Sequence, residues 1–446
     1  MHFRLLALAV AALMLTLPRV APSQPGENAI GGDLIVHPSG LQVSAIAIPP
    51  FAPAPGTAQL QSDPFSPIIA LNLEIAGWFD PLEASELILN QDRRDREAGR
   101  PDFAAWNRLG ADYLVRGTYT AGDDALVAEV EVWDTSIGER VIGRRHTRPP
   151  DEHRDMAHQI ADEIVERVTG ETGIAQSRIL FITQTRAGRE LALMDADGGR
   201  GRALTEDNAT VMAACWGANN AEIFFTSTRE YNPDLFLMRL SDRQQWTISR
   251  FPGLNLSPHW SPERSLVALT LSRDGNSEIY LMGRQGTDPL RLTYQRAIDS
   301  SPCWTPDGRQ ILFTSDRDGN RPQIWVMDAN GRNQRRLTAR RGYTFNDGAS
   351  VSPDGRRIAF TSRVQGQFDI FVMDIDGDDD SWLRLTDNPA NDEDPCWTRD
   401  SQHLVFSSDR SGLRQIHIMN ADGSNTHQLT QRGVNLSPMA EPPQGQ

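Results

Sequence analysis

A small α/β domain followed by an all-β six-bladed β-propeller, closed by the C-terminal strand, is the architecture this sequence predicts, on three observations. A unit of about 45 residues recurs six times from Ser177 onward, the repeat length of a propeller blade. One methionine marks its phase: Met194, Met238, Met282, Met327, Met373 and Met419 are spaced 44, 44, 45, 46 and 46. Each copy holds short alternating strands split by turn signals such as Pro306-Asp307-Gly308 and Asp376-Gly377. The third observation is phase. The first copy begins at its second strand, residues 178–183, whereas the last leaves a strand over, and Val434-Asn-Leu-Ser-Pro438 mirrors Leu254-Asn-Leu-Ser-Pro258. Residues 434–440 should therefore complete the blade begun at residue 178 and pair edges that would otherwise be exposed.

The N-terminus reads as a secretion signal over residues 1–23. Arg4 precedes an apolar run from Leu5 to Leu17, then Pro18 and the small residues around Ala21-Pro22-Ser23. That run is too short to span a bilayer, and no later apolar stretch reaches spanning length, so the expectation is an exported periplasmic protein without membrane insertion. Residues 24–40 form an extended segment, and residues 41–172 carry a different pattern from the repeats. Residues 41–51 read as a strand entering a core. Asp63-Pro64 offers an N-cap and a first-turn proline before the apolar positions Ile68, Ile69, Leu71, Leu73 and Ile75. A short helix is expected over 103–109, and strands over 113–119, 125–133 and 139–147. Asp151 should cap a helix with Met156, Ile160, Ile164, Val165 and Val168 on one face, stopped by Gly170. The segment Glu171–Ser177 reads as a short tether to the propeller of residues 177–440, and residues 441–446 form a tail.

Within each repeat the inner strand should end at Trp216, Trp260, Trp304 or Trp397, with Val351 and Ala440 at the equivalent positions. Large aromatics there can fill the wedge between twisted blades. Five residues earlier sit Val211, Asn255, Asp299, Asn346, Asp392 and Asn435, five of them Asn or Asp. Such side chains can cap the turn into the strand, or form a polar collar at the channel mouth for a ligand group, a cation or a partner's loop. Cys215, Cys303 and Cys396 each precede a tryptophan in alternate copies, so they read as unpaired, buried small hydrophobes. No Cys-x-x-Cys and no histidine at ligand spacing accompanies them. His153 and His158, five apart, read as part of a solvated helix face.

The formal charge is −15, and removing residues 1–23, with Arg4 and Arg19 and no acid, would leave −17. This balance argues against nucleic acid and anionic lipid as partners. Nucleophile-elbow, zinc-protease and phosphate-loop signatures are missing, so neither a catalytic centre nor a cofactor is expected. Two rivals remain open. A propeller-gated hydrolase would need a further catalytic domain beside the ring, and the chain ends as its propeller closes. A cation- or sugar-binding propeller could use Asp299 and Asp392.

The N-terminal runs Gly77-Trp-Phe-Asp-Pro-Leu82, Ala105-Trp-Asn-Arg-Leu-Gly110 and Ala161-Asp-Glu-Ile-Val-Glu-Arg-Val-Thr-Gly170 precede six repeats with Ser261-Pro262, Thr305-Pro-Asp-Gly308 and Ser352-Pro-Asp-Gly355 turns. This combination, over nearly all of the chain after residue 23, resembles the TolB family of the Tol–Pal system. The resemblance implies a non-enzymatic, monomeric periplasmic adaptor supporting outer-membrane integrity and envelope constriction at division. It implies that Pal, the peptidoglycan-associated lipoprotein, binds at Gly253, Leu254, Asn255, Ile298, Asp299, Ser300, Phe345, Asn346 and Asp392. It also implies that the TolA C-terminal domain binds the extended segment Asp33, Leu34, Ile35 and Val36. With cleavage near Ser23, residues 24–32 would precede that segment.

Overall fold

The computed structural model describes residues 43–57, 62–286, 289–319, 321–339, 345–377 and 381–443. The expected signal segment and Asp33, Leu34, Ile35 and Val36 lie outside the described residues. No described helix is long and apolar enough to cross a membrane.

The N-terminal domain comprises β1 (Ser44–Ala47), β2 (Ala52–Pro53), α1 (Ser66–Ile75), β3 (Phe79–Pro81), α2 (Glu86–Ala98), α3 (Phe103–Arg108), β4 (Tyr113–Ala121), β5 (Leu126–Asp134), β6 (Glu139–Arg148) and α4 (His153–Thr169). Its sheet runs β3-β1-β4-β5-β6, with β2 also on β4. Period-two alternation sends successive side chains to opposite faces. Ile46 and Val115 join Ile69, Leu73, Ile160 and Ile164 of α1 and α4 in one core. Their neighbours Ala47 and Leu114 join Ile88 and Trp106 of α2 and α3 in another. The result is a helix–sheet–helix sandwich.

Three local expectations need correction. Helix α1 starts at Ser66 with Pro67 in its first turn, because Asp63 uses its carboxylate in the preceding loop. It accepts from the Phe65 amide at 2.9 Å and the Phe51 amide at 3.0 Å. Asp151 lies in a 3₁₀ turn over Pro150–Glu152 and does not cap α4. Helix α2 went unread because it is mostly polar, with Ile88 its one buried apolar residue. Asp95 anchors it, accepting from the Trp106 indole at 2.7 Å and from Gln91 at 2.8 Å.

The propeller has six four-stranded sheets, and the sixth joins Asn435–Ala440 to Arg178–Gln184, Arg189–Asp195 and Arg202–Ala203. Asn435 pairs with Thr183 and Ala440 with Ile179, so the tail strand closes the ring as expected. Beyond it, Glu441 clamps Arg178: its Oε1 accepts from Nη2 at 2.7 Å and its Oε2 from the backbone amide at 3.0 Å. The recurrent Leu-Thr signature also has a physical reason. Thr338 Oγ1 accepts from the Ile324 amide at 3.0 Å and donates to Gln323 at 2.8 Å, tying the outer strand to its neighbour. Thr293 and Thr430 repeat this arrangement with Glu278 and Gln415.

Antiparallel pairing puts the turns after the first and third strands of every blade at one end of the propeller, and this end carries the N-terminal domain. Along α4, Arg154, His158 and Asp162 recur every four residues and face the propeller. Arg154 donates to Asp197 at 2.6 and 2.8 Å, His158 Nε2 lies 3.3 Å from the same carboxylate, and Arg399 donates to Asp162 at 3.1 Å. His158 is therefore buried, at 2% exposure, and not on a solvated face. Its carboxylate partner explains why burial is tolerated. Arg154→Ala would leave Asp197 buried and short of a partner. We expect a loss of about 3 kcal/mol and faster protease cleavage near residues 171–177.

Two buried groups at this junction make its docking pH-dependent in opposite directions. Burial pushes Asp197 up, but the His158 hydrogen bond and charge, the Gly199 amide and Arg154 outweigh it and hold the carboxyl well below its usual range. Its contribution is present above about pH 3.8 and fades only as pH falls through the lower folded value. Burial pushes His403 down, but Asp400, 2.7 Å away, and the Ala76 and Ile75 carbonyls ending α1 raise it above its ordinary value. That contribution is complete below about pH 6.5 and is lost as pH rises through the folded value. Proteolysis near residues 171–177 should therefore accelerate as pH rises above about 6.5 through the raised folded value, and His403→Gln should flatten the dependence.

Candidate functional site

The opposite end of the propeller carries the loops that enter the inner strands. Every inner strand slips register before its tryptophan-equivalent position, for example between Ser300 and Cys303 and between Glu393 and Cys396. The slip is a β-bulge at Ser257, Ser301, Asp394 and Ser437, with φ of 49°, 51°, 57° and 46°, each followed by proline. Proline lacks the ladder donor, and a bulge is where a strand tolerates it. The recurrent Ser-Pro and Asp-Pro pairs were the sequence signal for this feature.

Of the two alternatives for the Asx positions, the structure favours capping. Asn255, Asp299, Asn346 and Asp392 are all 0% exposed and turn inward, onto their own blade or the preceding one. Asn255 donates to the Phe251 carbonyl at 2.8 Å and accepts from Ser249 at 2.5 Å. Asp299 accepts from Arg317 at 2.7 Å, and Asp392 from Arg410 at 3.1 Å and Asn388 at 2.8 Å. Asn346 donates to Gln323 at 2.8 Å. The capping alternative describes these side chains: they shape the loops and do not present themselves to a ligand. Each of these buried polar side chains has at least one partner in the propeller, as groups this deep require.

Those loops, with the hairpin turns at the same end, expose large apolar side chains. Tyr231 is 100% exposed, Tyr294 69%, Leu413 56%, Ile298 54% and Leu254 36%. Gly253 precedes Leu254 at φ +88°, where a Cβ would lie 2.3 Å from Ser272 Oγ, so only glycine fits. The Leu254 amide then donates to that Oγ at 2.8 Å, and the Ile298 amide donates to Asp316 at 2.8 Å in the same manner. Leu254 and Ile298 are thus held outward by backbone anchors. Ser300 is half-buried, and half-buried Phe345 packs edge-on to Phe368 at 5.3 Å. Tyr231, Tyr294 and Leu413 were missed in the sequence, although each is a lone large apolar residue inside a polar turn. Exposed large apolar side chains at one end of the propeller, two of them on anchored loops, suit contact with another protein.

Deeper at this end, Asp394 accepts from Ser437 at 2.9 Å, and burial, reinforced by the charge of Glu393, raises its carboxyl above the usual value. Elsewhere, His158, Asp195 and Asp197 bring three potential metal donors together. Arg154 and Arg200 already occupy both carboxylates, with Arg200 Nε 2.9 Å from Asp195, so the cluster works as a charge latch and does not suit a cation.

Comparison with known proteins agrees with this architecture. The family profile described as "TolB beta propeller domain" matches residues 165–351 and 345–446, and that described as "TolB amino-terminal domain" matches residues 34–141. The crystal structure of TolB from Acinetobacter baumannii superposes with a TM-score of 0.78 at 24% identity, covering 90% of this chain and 97% of that one. A putative TolB from Agrobacterium tumefaciens aligns at 24% identity and a TM-score of 0.48, over 58% of this chain and 90% of its own.

Proposed function

Because this chain belongs to the TolB family, whose members are periplasmic proteins of the Tol–Pal system, we propose that it is a non-enzymatic, monomeric adaptor joining a Pal-like lipoprotein to TolA. The Pal-like partner docks on the propeller end opposite the N-terminal domain. Leu254, Ile298, Tyr231, Tyr294 and Leu413 supply the apolar contacts, with Gly253, Ser300 and Phe345 beside them. Asn255, Asp299, Asn346 and Asp392 act from beneath, as positioning residues for those loops. The TolA C-terminal domain engages Asp33, Leu34, Ile35 and Val36, an extended apolar stretch suited to adding a strand to another sheet. Linking inner membrane, wall and outer membrane in this way supports envelope integrity and constriction at division.

The observation that supports this reading most is the exposure of Leu254 and Ile298 on loops anchored by Ser272 and Asp316. Introducing Leu254→Asp together with Ile298→Asp should reduce recovery of a Pal-like lipoprotein from envelope extract at least about tenfold, or about 1.4 kcal/mol. The thermal midpoint should stay unchanged, because both side chains are exposed. Equal recovery by variant and parent would sink the assignment.

A further inference from the structure

The sheet of the N-terminal domain ends, on one side, in an open strand. In the order β3-β1-β4-β5-β6, strand β6 pairs only with β5, and it runs for ten residues. Among the described residues, β3 at the other edge spans three residues and ends in proline, and five of the six outer propeller strands span two. Short edges and edge prolines keep unpaired strands from recruiting other chains, and β6 has neither. Its register against β5 slips once, at Val141, where Arg167 Nε donates to the Val141 carbonyl at 3.3 Å. From Ile142 to Arg148 the register is regular, and among the described residues no other group bonds to the outer edge. Gly143, Arg144, Arg145 and Thr147 of this stretch are exposed.

Alternation sends Ile142 and His146 to the α4 side of the sheet and Arg145 and Thr147 to the other. On that other side a groove of about 460 Å³ lies between β6 and α2. Arg96, Arg116, Arg140, Arg144 and Arg145 line it against Glu129 and Glu131. Asp92 pairs with Arg96 at 2.7 Å and lies 3.6 Å from Arg116. The groove therefore keeps an excess of positive charge in a chain of net charge −15. Arg140 meets Glu131 at 2.7 Å and Arg145 meets Glu129 at 3.6 Å, but these side chains are 41% to 67% exposed, so a partner's carboxylates can replace Glu129 and Glu131 at little cost.

We propose that the outer edge of β6 takes an added strand from a partner protein, an extended segment with carboxylates at alternate positions. Main-chain hydrogen bonds to the free edge set the register of such a segment, and period two turns every second side chain into the arginine groove. The remaining side chains meet a groove of about 1060 Å³ on the α4 side, where Gln159, Glu163, Glu166 and Arg167 mix both signs and select no charge. The arginines also decide against a second copy of this chain, because two such edges would set basic strand against basic strand. This surface belongs to the N-terminal domain, at the other end of the propeller from the loops proposed for the Pal-like lipoprotein.

The test uses the full chain and a fluorescein-labelled, end-capped peptide of four Glu-Thr repeats, with the matching Gln-Thr peptide as control. Fluorescence anisotropy at low salt should show saturable binding of the Glu-Thr peptide that weakens as salt rises, and at least about tenfold weaker binding of the control. Arg144→Glu together with Arg145→Glu should weaken binding at least about tenfold without moving the thermal midpoint, because both side chains are exposed. Hydrogen exchange on the unsubstituted chain gives a second readout. The bound peptide should slow exchange within residues 142–148 and leave the outer propeller strand Gln245–Ser249 unchanged. No binding, equal binding of the control or by the folded variant, or binding without slower exchange in residues 142–148 would each overturn the proposal. Recruitment to phosphatidylglycerol vesicles in place of the peptide would assign the arginines to a lipid surface and overturn it too.

Discussion

A chain lacking residues 434–446 is expected to lose the propeller as a cooperative unit. Asn435–Ala440 supplies the inner strand of the sixth blade, and without it the edge of Arg178–Gln184 faces solvent. The same deletion removes Ala440 from the apolar cluster that joins Ile179, Phe181 and Met194 to Val405 and Ile416 of the preceding blade. It also removes Glu441, which holds Arg178, and the Met439 carbonyl that accepts from the Trp216 indole at 3.0 Å. We expect a loss of at least about 5 kcal/mol, comparable with the whole stability of a typical domain, and association through the open strand edge. Size-exclusion chromatography and thermal unfolding would report this, and a folded, monomeric truncation with an unchanged midpoint would contradict it.

Trp304→Ala should be the most damaging single substitution in the wedge between two blades. Trp304 is 4% exposed and packs with Ala268, Ile279 and Leu281 of one blade and Ile311, Phe313 and Met327 of the next. The blades diverge from the axis, so no neighbouring side chain can collapse into the space the indole fills. The expected cost is about 3–5 kcal/mol. Chemical denaturation should show a lowered midpoint with an unchanged slope. Trp304→Phe should recover much of the loss, because the indole Nε1 has no hydrogen-bond partner there to forfeit. A shift of less than about 1 kcal/mol in the alanine variant would mean that the wedge is not closely packed.

Repetition and alternation made the fold legible from residues alone. Six phase-marking methionines counted the blades, and the unmatched strand at residues 434–440 named the closing partner before any coordinate did. Such features are local: a strand's period, a turn's glycine and a repeat's length are written in consecutive residues. The candidate site was legible only in part. The loops before the inner strands were located, but the sequence left open whether their Asx side chains cap the turn or form a collar. Whether a polar group faces solvent or a buried partner depends on an arginine or glutamine some 18 to 23 residues away, such as Arg317 for Asp299 or Gln323 for Asn346.

The chain's linear order thus determined the number of blades, the layered N-terminal domain and the way the ring shuts. Tertiary structure alone decided that Leu254 and Ile298 stand outward while Asp299 and Asp392 lie beneath them. It also decided that Arg154, His158 and Asp162 bind the N-terminal domain to the propeller, and that Cys303 meets His259 across a blade boundary. The physical reason is the same throughout. Periodicity fixes which face of an element is apolar, but the partners of a polar or sulfur-bearing side chain are set by contacts between elements, and these become defined only when the ring closes.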